Sequence, residues 1–513
     1  MPKVILLLIA CLLLPLTVSS QVEMVRRGDC TPTIDDGNAT TRGVRRRLPS
    51  LKNQWDANVV YRQMVILIEY SDSTFSRENP REDYDRIFNE TGYNEGLGPG
   101  CVADYFREQS GGMLNLQFDV YGPYRISKAA RVDNPSSSTR NYGRDQMIEA
   151  TKMCLEDNPD IDYSCYDWNH DGYADQVIYI SASLSGNQGA NASYGFIWPN
   201  TSSFSTVTAP DGTKISDYSV SCEMWTNRMS CGIGTICHEF THCFGLPDLY
   251  PTNGSAYSVV DEWDLMDGGN FTNYGWCPPN FTPMEKILLG WLTPYELTEP
   301  TTITNLKPSA EGGEVYCIEH SDNEWLMLEN RQQLRWDLGV PGMGLVIYHA
   351  NYDQSSWSNN KVNTTKGKWC YELVNADNLD YDAWDNLLKN ASSQYANKRR
   401  MNNKHLSTSP YPLMTDSMII VNCELTDSSV PHARMNNNNR VGSNQLGKPI
   451  TNIRMSEDGL VSFDFMGGAP NGILPEMTHR QSVANKVYNL QGQQVAVPRK
   501  GIYIIDGKKY IIH

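Results

Sequence analysis

The stretch from Ser230 to Tyr250, SCGIGTICHEFTHCFGLPDLY, holds the residues best suited to chemistry. His238 and His242 are four apart, so on a helix they stand on one face, one turn above the other. Two neutral imidazoles so placed can ligate one Zn²⁺ at about 2.0–2.1 Å. Glu239, beside the first of them, can reach a water at that metal without being a ligand. It would take the water's proton during attack on a peptide carbonyl and carry it to the leaving amine. The five-residue pattern alone arises by chance in long chains, where it is two ordinary helix histidines beside a surface Glu. Its surroundings favour the metal: Ser230 offers a helix cap, Gly245 followed by Pro247 ends the helix, and Ile233, Ile236, Cys237 and Phe240 supply an apolar face.

A third ligand must come from residues beyond the end of that helix. Gly245 allows a sharp turn that would bring Asp248 back to the metal, as an oxygen donor at about 2.0–2.2 Å. Glu262 is the substitute. Further on, WDLMDGG places Met266 in a tight turn suited to pack beneath the imidazoles, although a lone methionine is more often plain core. Elsewhere Asp167, Asn169, Asp171 and Asp175, with Gly172, match the first part of a calcium loop. Ile178 stands where the loop's last Glu belongs, which excludes an EF-hand and leaves an Asx-rich turn as the rival. Tyr274 could face an oxyanion or be structural, and Cys30 could block the zinc as a thiolate or serve a disulfide.

These residues need elements to hold them. Met64–Tyr70 and Val177–Ser181 are continuous apolar runs and read as buried strands; residues 100–127 read as a helix then an alternating strand, and 143–156 as a helix. Strands and helices alternating ahead of the motif predict an α/β catalytic domain. Beyond about residue 297 helical periodicity becomes rare, and short strands at 314–319, 324–329 and 344–349 predict an all-β domain with an Asn-rich insert near 390–440. The expected organisation is a signal peptide at 1–20, a leader or short propeptide at 21–55, the catalytic domain at 56–296, the β-rich domain at 297–466, and a linker with a small C-terminal β module at 467–513.

The chain has 513 residues and a formal net charge of −16, a balance that disfavours nucleic acid and anionic membranes. An apolar run from Val4 to about Leu16 behind Lys3, then Ser19 and Ser20, has the form of a secretory signal. The segment around Cys11 also has the form of a lipoprotein cleavage box, the alternative placement of the same signal. Nothing else approaches a membrane span, so the expected location is secreted or cell-surface.

On HEFTHCFGLPDLY, WDLMDGGNF, DWNHDGYADQVIYISA, the strand VILIEYSDSTF, MEKILLGWL and the later WLMLENRQQLRWDLGVPGMGLVIYHANYD, the sequence resembles the immune inhibitor A-like secreted zinc metallopeptidases over roughly residues 60–465. The resemblance implies a metzincin-like α/β (α+β) catalytic fold, with zinc on His238, His242 and Asp248, Glu239 as base and Met266 as the Met-turn. Metzincins usually have His where this chain has Asp248. Val487–His513 resembles the C-terminal units of exported Bacteroidetes proteins, which implies either an addressing role toward secretion machinery or a plain terminal module.

The expected function is a zinc endopeptidase acting on extracellular protein or peptide substrates, with Zn²⁺ and a candidate Ca²⁺ as cofactors. Two alternatives stay open: a protease directed at glycoproteins such as mucins, and a surface-binding protein with a vestigial zinc site.

Overall fold

The computed structural model describes residues 55–132, 142–188, 191–255, 257–390, 405–414, 420–433 and 435–469, with four strands between 487 and 512. The expected signal peptide, leader and Cys30 lie outside the described residues.

The apolar run Met64–Tyr70 becomes the core of β1 (Val60–Glu69), which pairs in parallel with β2 (Asn115–Arg125) on one side and β3 (Val177–Leu184) on the other. β4 (Asn200–Thr208) is antiparallel to β5 (Lys214–Thr226), itself parallel to β3, so the order is β2-β1-β3-β5-β4, and β6 (Met229–Ser230) extends β5. Central parallel strands are covered on both faces, which is why β1 and β3 read as unbroken apolar runs. Val65, Leu67, Ile178 and Ile180 face one core, and Met64, Ile66, Ile68, Val177 and Tyr179 face the other.

The first core is filled by α1 (Pro80–Asn89), α2 (Val102–Gln109) and α4 (Gly234–Thr241); the second by α3 (Arg144–Asp157), the helix expected at 143–156. β4, with sequence NTSSFSTVT, carries no apolar run because it is an edge strand with one side partly open, and its residues give no strand signal.

After α5 (Pro283–Leu288), a second sheet in the order β12-β11-β10-β9-β7 is built from β7 (Tyr295–Glu296), β9 (Tyr316–Ser321), β10 (Glu324–Arg331), β11 (Gly344–Asn351) and β12 (Tyr371–Leu373). The intervening β8 (Thr301–Leu306) joins strands Ile450–Met455 and Val461–Phe465 in a three-stranded sheet. Among the described residues, the segment 297–466, expected to be all-β, also holds two α-helices, α6 (Gln354–Ser358) and α7 (Tyr381–Asn390). Trp336, Val346, Tyr348 and Trp357 of this segment belong to the same buried cluster as Val65, Phe106 and Phe240, while Leu306, Ile318, Leu326, Ile347 and Phe463 form a core within it, and one compact unit runs through Ala469. Pro470–His513 is a separate unit whose strands, Val487–Asn489, Gln494–Val495, Gly501–Ile505 and Lys508–Ile512, form one antiparallel sheet.

Among the described residues no helix is long and apolar enough to cross a membrane.

Candidate metal centre

α4 carries the paired histidines, with Ile236, Cys237 and Phe240 buried beneath them. Phe240 meets Phe106, Phe118, Trp168 and Phe244 edge-on, which fixes how far the helix sits from the sheet. The expected Ser230 cap is not used. Ser230 pairs with Met224 in β6, and the chain enters the helix through Gly232 at φ 65°, with Ile233 at the N-cap and its N–H given to the Gly275 carbonyl. The C-terminal end follows expectation: after a tight turn at His242–Phe244, Gly245 adopts φ 91°, a left-handed conformation that suits glycine.

That turn sets up the site. His242 Nδ1 donates to the Leu246 carbonyl at 2.8 Å, and His238 Nδ1 donates to the Leu265 carbonyl at 2.9 Å. With both Nδ1 atoms so engaged, each ring presents the Nε2 lone pair to the same space, the arrangement metal-binding histidines need. Asp248 Oδ1 stands 3.2 Å from His238 Nε2 and 3.3 Å from His242 Nε2. His238, Glu239 and His242 are, among the described residues, the one group of three or more His, Cys, Asp or Glu whose ligand atoms lie within 4.8 Å of one another. All four side chains are buried.

The residues fit a divalent cation. His238 Nε2, His242 Nε2, Asp248 Oδ1 and Glu239 Oε1 are buried polar atoms without a hydrogen-bond partner, a costly arrangement unless a cation and its water complete it. Burial works against charge on His238, yet the facing Asp248 carboxylate and the Glu239 charge push it up to about 9, so the pocket favours positive charge. Burial likewise raises Glu239 above the usual carboxylate range, partly offset by the two imidazoles. For Asp248 the burial effect is outweighed by His242 and His238, which hold it well below that range. Two imidazole nitrogens and one carboxylate oxygen are a zinc-type donor set, of the kind in which water takes the fourth position.

Glu239 Oε2 is held by Thr201 on β4, whose Oγ1 lies 3.0 Å from it and 2.6 Å from the Glu239 main-chain oxygen. No sequence signal pointed to Thr201, which sits in a polar strand far from the motif. Tyr250, at the end of the motif stretch, was given no role from the sequence; its ring stacks on His238 at 6.4 Å between centroids and 14° between planes.

Met266 is fully buried in the turn that supplies the Leu265 carbonyl to His238, and its own carbonyl accepts the Leu249 N–H at 2.8 Å, beside Asp248. The turn is tied internally, with Met266 N–H donating to Asp264 Oδ1 at 2.6 Å. Glu262 lies on the one-turn helix Asp261–Trp263 ahead of it. Tyr274, at φ 57°, packs against the cluster containing Trp225 and Cys231.

The acidic loop at 167–175 is closed by its own backbone. Asp167 accepts the N–H groups of Asp171 and Gly172 at 3.1 and 2.7 Å, Asp175 accepts those of Trp168 and the Asn169 amide at 2.6 and 3.1 Å, and Asp171 accepts Tyr173 N–H at 3.0 Å. Such backbone-to-carboxylate bonds are common to an Asx-rich turn and to a calcium loop.

Comparison with known proteins points the same way. Residues 54–288 match the family described as immune inhibitor A peptidase M6, catalytic domain. The chain is similar to the pre-pro-metalloprotease PrtV of Vibrio cholerae serotype O1, 24% identical over 273 residues and covering 46% of this chain. It is similar to immune inhibitor A of Bacillus thuringiensis subsp. alesti, 24% identical over 272 residues and covering 44% of this chain. The aligned stretches span only 28% and 38% of those relatives' own lengths. The segment 54–288, which carries the paired histidines, Glu239, Asp248 and the Met266 turn, is similar to the catalytic domain of the immune inhibitor A, or M6, peptidases.

Proposed function

We propose that the protein is a zinc-dependent endopeptidase in which His238, His242 and Asp248 hold the metal and Glu239 is the general base. The observation that carries this is the convergence of four buried, partnerless polar atoms, three of ligand type and one carboxylate oxygen, in a single space. Zinc, when bound there, supplies Lewis-acid polarisation of the peptide carbonyl and of water. The protein does the rest. Leu265 and Leu246 orient the imidazoles, Thr201 occupies Glu239 Oε2, and Oε1 stays available to take a proton from the attacking water and return it to the leaving amine. The raised proton affinity of Glu239 suits a base that must also act as an acid.

The substrates in this reading are extracellular proteins, supported by the apolar segment Val4–Leu16. The loop at 167–175, whose carboxylates accept backbone amides, keeps both of its readings here, a Ca²⁺ loop and an Asx-rich turn.

The test compares wild type with Glu239→Ala for zinc content and casein cleavage. Zinc retained with cleavage abolished supports the mechanism, and undiminished cleavage by the variant sinks it. A wild type that holds zinc but cleaves neither casein nor a peptide library would favour a binding protein instead.

A further inference from the structure

Asp248 has two oxygens, and only one faces the imidazoles. The other, Oδ2, accepts a hydrogen bond from Asn360 Nδ2 at 2.7 Å, while the Asp248 N–H donates to Asn360 Oδ1, also at 2.7 Å. The Asn360 amide thus closes a two-bond ring around Asp248, donating to its side chain and accepting from its backbone. Such pairing fixes the carboxylate rotamer and decides which oxygen is left for the histidines. Both residues are buried, so water cannot replace either bond.

Asn360 belongs to the loop after α6, outside the segment 54–288 that matches the peptidase family. Its φ of 53° and that of Asn363, 58°, are left-handed, which asparagine tolerates better than most residues, and the two turns aim both amides inward. Asn363 Nδ2 donates to the Leu249 carbonyl at 2.9 Å, and its Oδ1 accepts the N–H groups of Cys370 and Tyr371 at 2.9 and 3.1 Å. Thr252 Oγ1 donates to the Asn360 carbonyl at 2.5 Å. The stretch 248–252 is therefore held at three residues by 360–363, and 360–363 is anchored on β12.

We infer that Asn360 is the positioning residue of the third metal ligand, so that the β-rich segment completes the metal centre from outside the catalytic domain. The inference rests on the reading of Asp248 as a ligand. Carboxylates and imidazoles at metal sites are commonly held by such outer hydrogen bonds, and losing one costs about 10- to 100-fold in metal affinity or activity. Asn360 touches neither substrate nor metal, and acts through Asp248.

The test measures zinc affinity of the full chain by competition with a chromophoric chelator, using Asn360→Ala, Asn360→Asp and Asp248→Ala. Melting of each metal-free protein checks that it is folded. Asn360→Asp keeps the size of the side chain and the acceptor for Asp248 N–H but sets an oxygen against Oδ2, so it decides the matter if Asn360→Ala does not fold. Both Asn360 variants are expected to bind zinc about 10- to 100-fold more weakly. Their Co²⁺-substituted forms are expected to show altered visible absorption, which a merely structural role would leave unchanged. Zinc binding within threefold of wild type in both, alongside weakened binding in Asp248→Ala, overturns the role of Asn360. Unchanged binding in Asp248→Ala instead overturns the ligand set on which the inference stands.

Discussion

Thr201 reaches from the edge strand β4 to both ends of Glu239, 2.6 Å from its main-chain oxygen and 3.0 Å from Oε2, so one hydroxyl ties the proposed base to the sheet. Oε1 is left without a partner and fully buried. The consequence is directional. Thr201→Val keeps the branched shape of the side chain and removes the donor, so the base loses its fixed rotamer while substrate contacts stay as they were. The expected result is a fall in kcat of roughly 10- to 100-fold with KM little changed, the scale of a small misplacement of a reacting group. Thr201→Ser, which keeps the hydroxyl, is expected to recover most of the loss. Steady-state kinetics on a fluorogenic peptide would check both, and equal kcat in Val and wild type would refute the role.

A second expectation concerns where the catalytic unit ends. The side chains of Trp336, Tyr348 and Trp357 lie in the same core as the zinc helix, and Tyr105 meets Trp336 edge-on at 5.1 Å. Arg331, fully buried, pairs with Asp337 through Nε at 2.7 Å and a terminal nitrogen at 2.5 Å, and touches Glu329 at 3.1 Å; another contact reaches the Trp263 carbonyl at 3.5 Å, just before the Met266 turn. A chain cut to residues 55–296 would expose that core and lose Arg331 together with its partners. It is expected to fail to fold, whereas 55–469 should melt cooperatively. Circular dichroism and gel filtration of the two fragments would decide, and a cooperatively folded 55–296 would contradict the shared core.

The candidate metal centre was legible because its signal is local. The four-residue spacing of His238 and His242, the glycine that must turn left-handed at 245, and the acid three residues beyond it all lie within one short stretch. Buried parallel strands were legible for a similar reason, since a strand covered on both faces must be apolar at every position. What escaped was nonlocal or polar. Thr201 sits in a strand whose outer side is open, so its residues carry no period that marks them. Asn360 and Asn363 lie in an Asn- and Ser-rich loop whose composition is that of any exposed turn, and only the fold reveals that these two amides point inward. The packing of Trp336, Tyr348 and Trp357 into the core of the paired-histidine helix escaped because a change in secondary-structure texture says nothing about which face of a new sheet covers which old core.

Gly245 offers a third prediction. At φ 91° a Cβ is strained by about 1–2 kcal/mol, and the Leu246 carbonyl that orients His242 is the next residue along. Gly245→Ala is expected to lower the stability of the metal-free protein by about that amount and also to weaken zinc binding, because relaxing the turn moves the acceptor of His242 Nδ1. Urea unfolding and chelator competition on the same samples would separate the two effects. A stability loss with zinc affinity intact would show that the turn ends the helix without orienting the ring.

His349 on β11 gives the clearest dependence on pH away from the metal. Its Nε2 donates to Glu324 Oε1 at 2.7 Å and its Nδ1 to Glu372 Oε1 at 2.8 Å, carboxylates on the two flanking strands. A ring that gives both hydrogens away is an imidazolium. Burial works against that charge, but the two carboxylates outweigh it and hold the group at about 9. In the unfolded chain the value is about 6.5, so the folded state binds the proton more tightly. The contribution is then complete below about pH 6.5 and is lost as pH rises through 9, worth about 3 kcal/mol if the full shift is realised. Glu324 sets the acid side: burial raises it but the His349 hydrogen bond lowers it further, so its share is lost only as pH falls through the acid range. His349→Gln removes the titration while keeping a polar group between the strands. Urea midpoints at pH 6 and pH 10 are expected to show wild type losing about 3 kcal/mol more than the variant over that interval. An equal loss in both would mean that the imidazole is neutral between its two carboxylates.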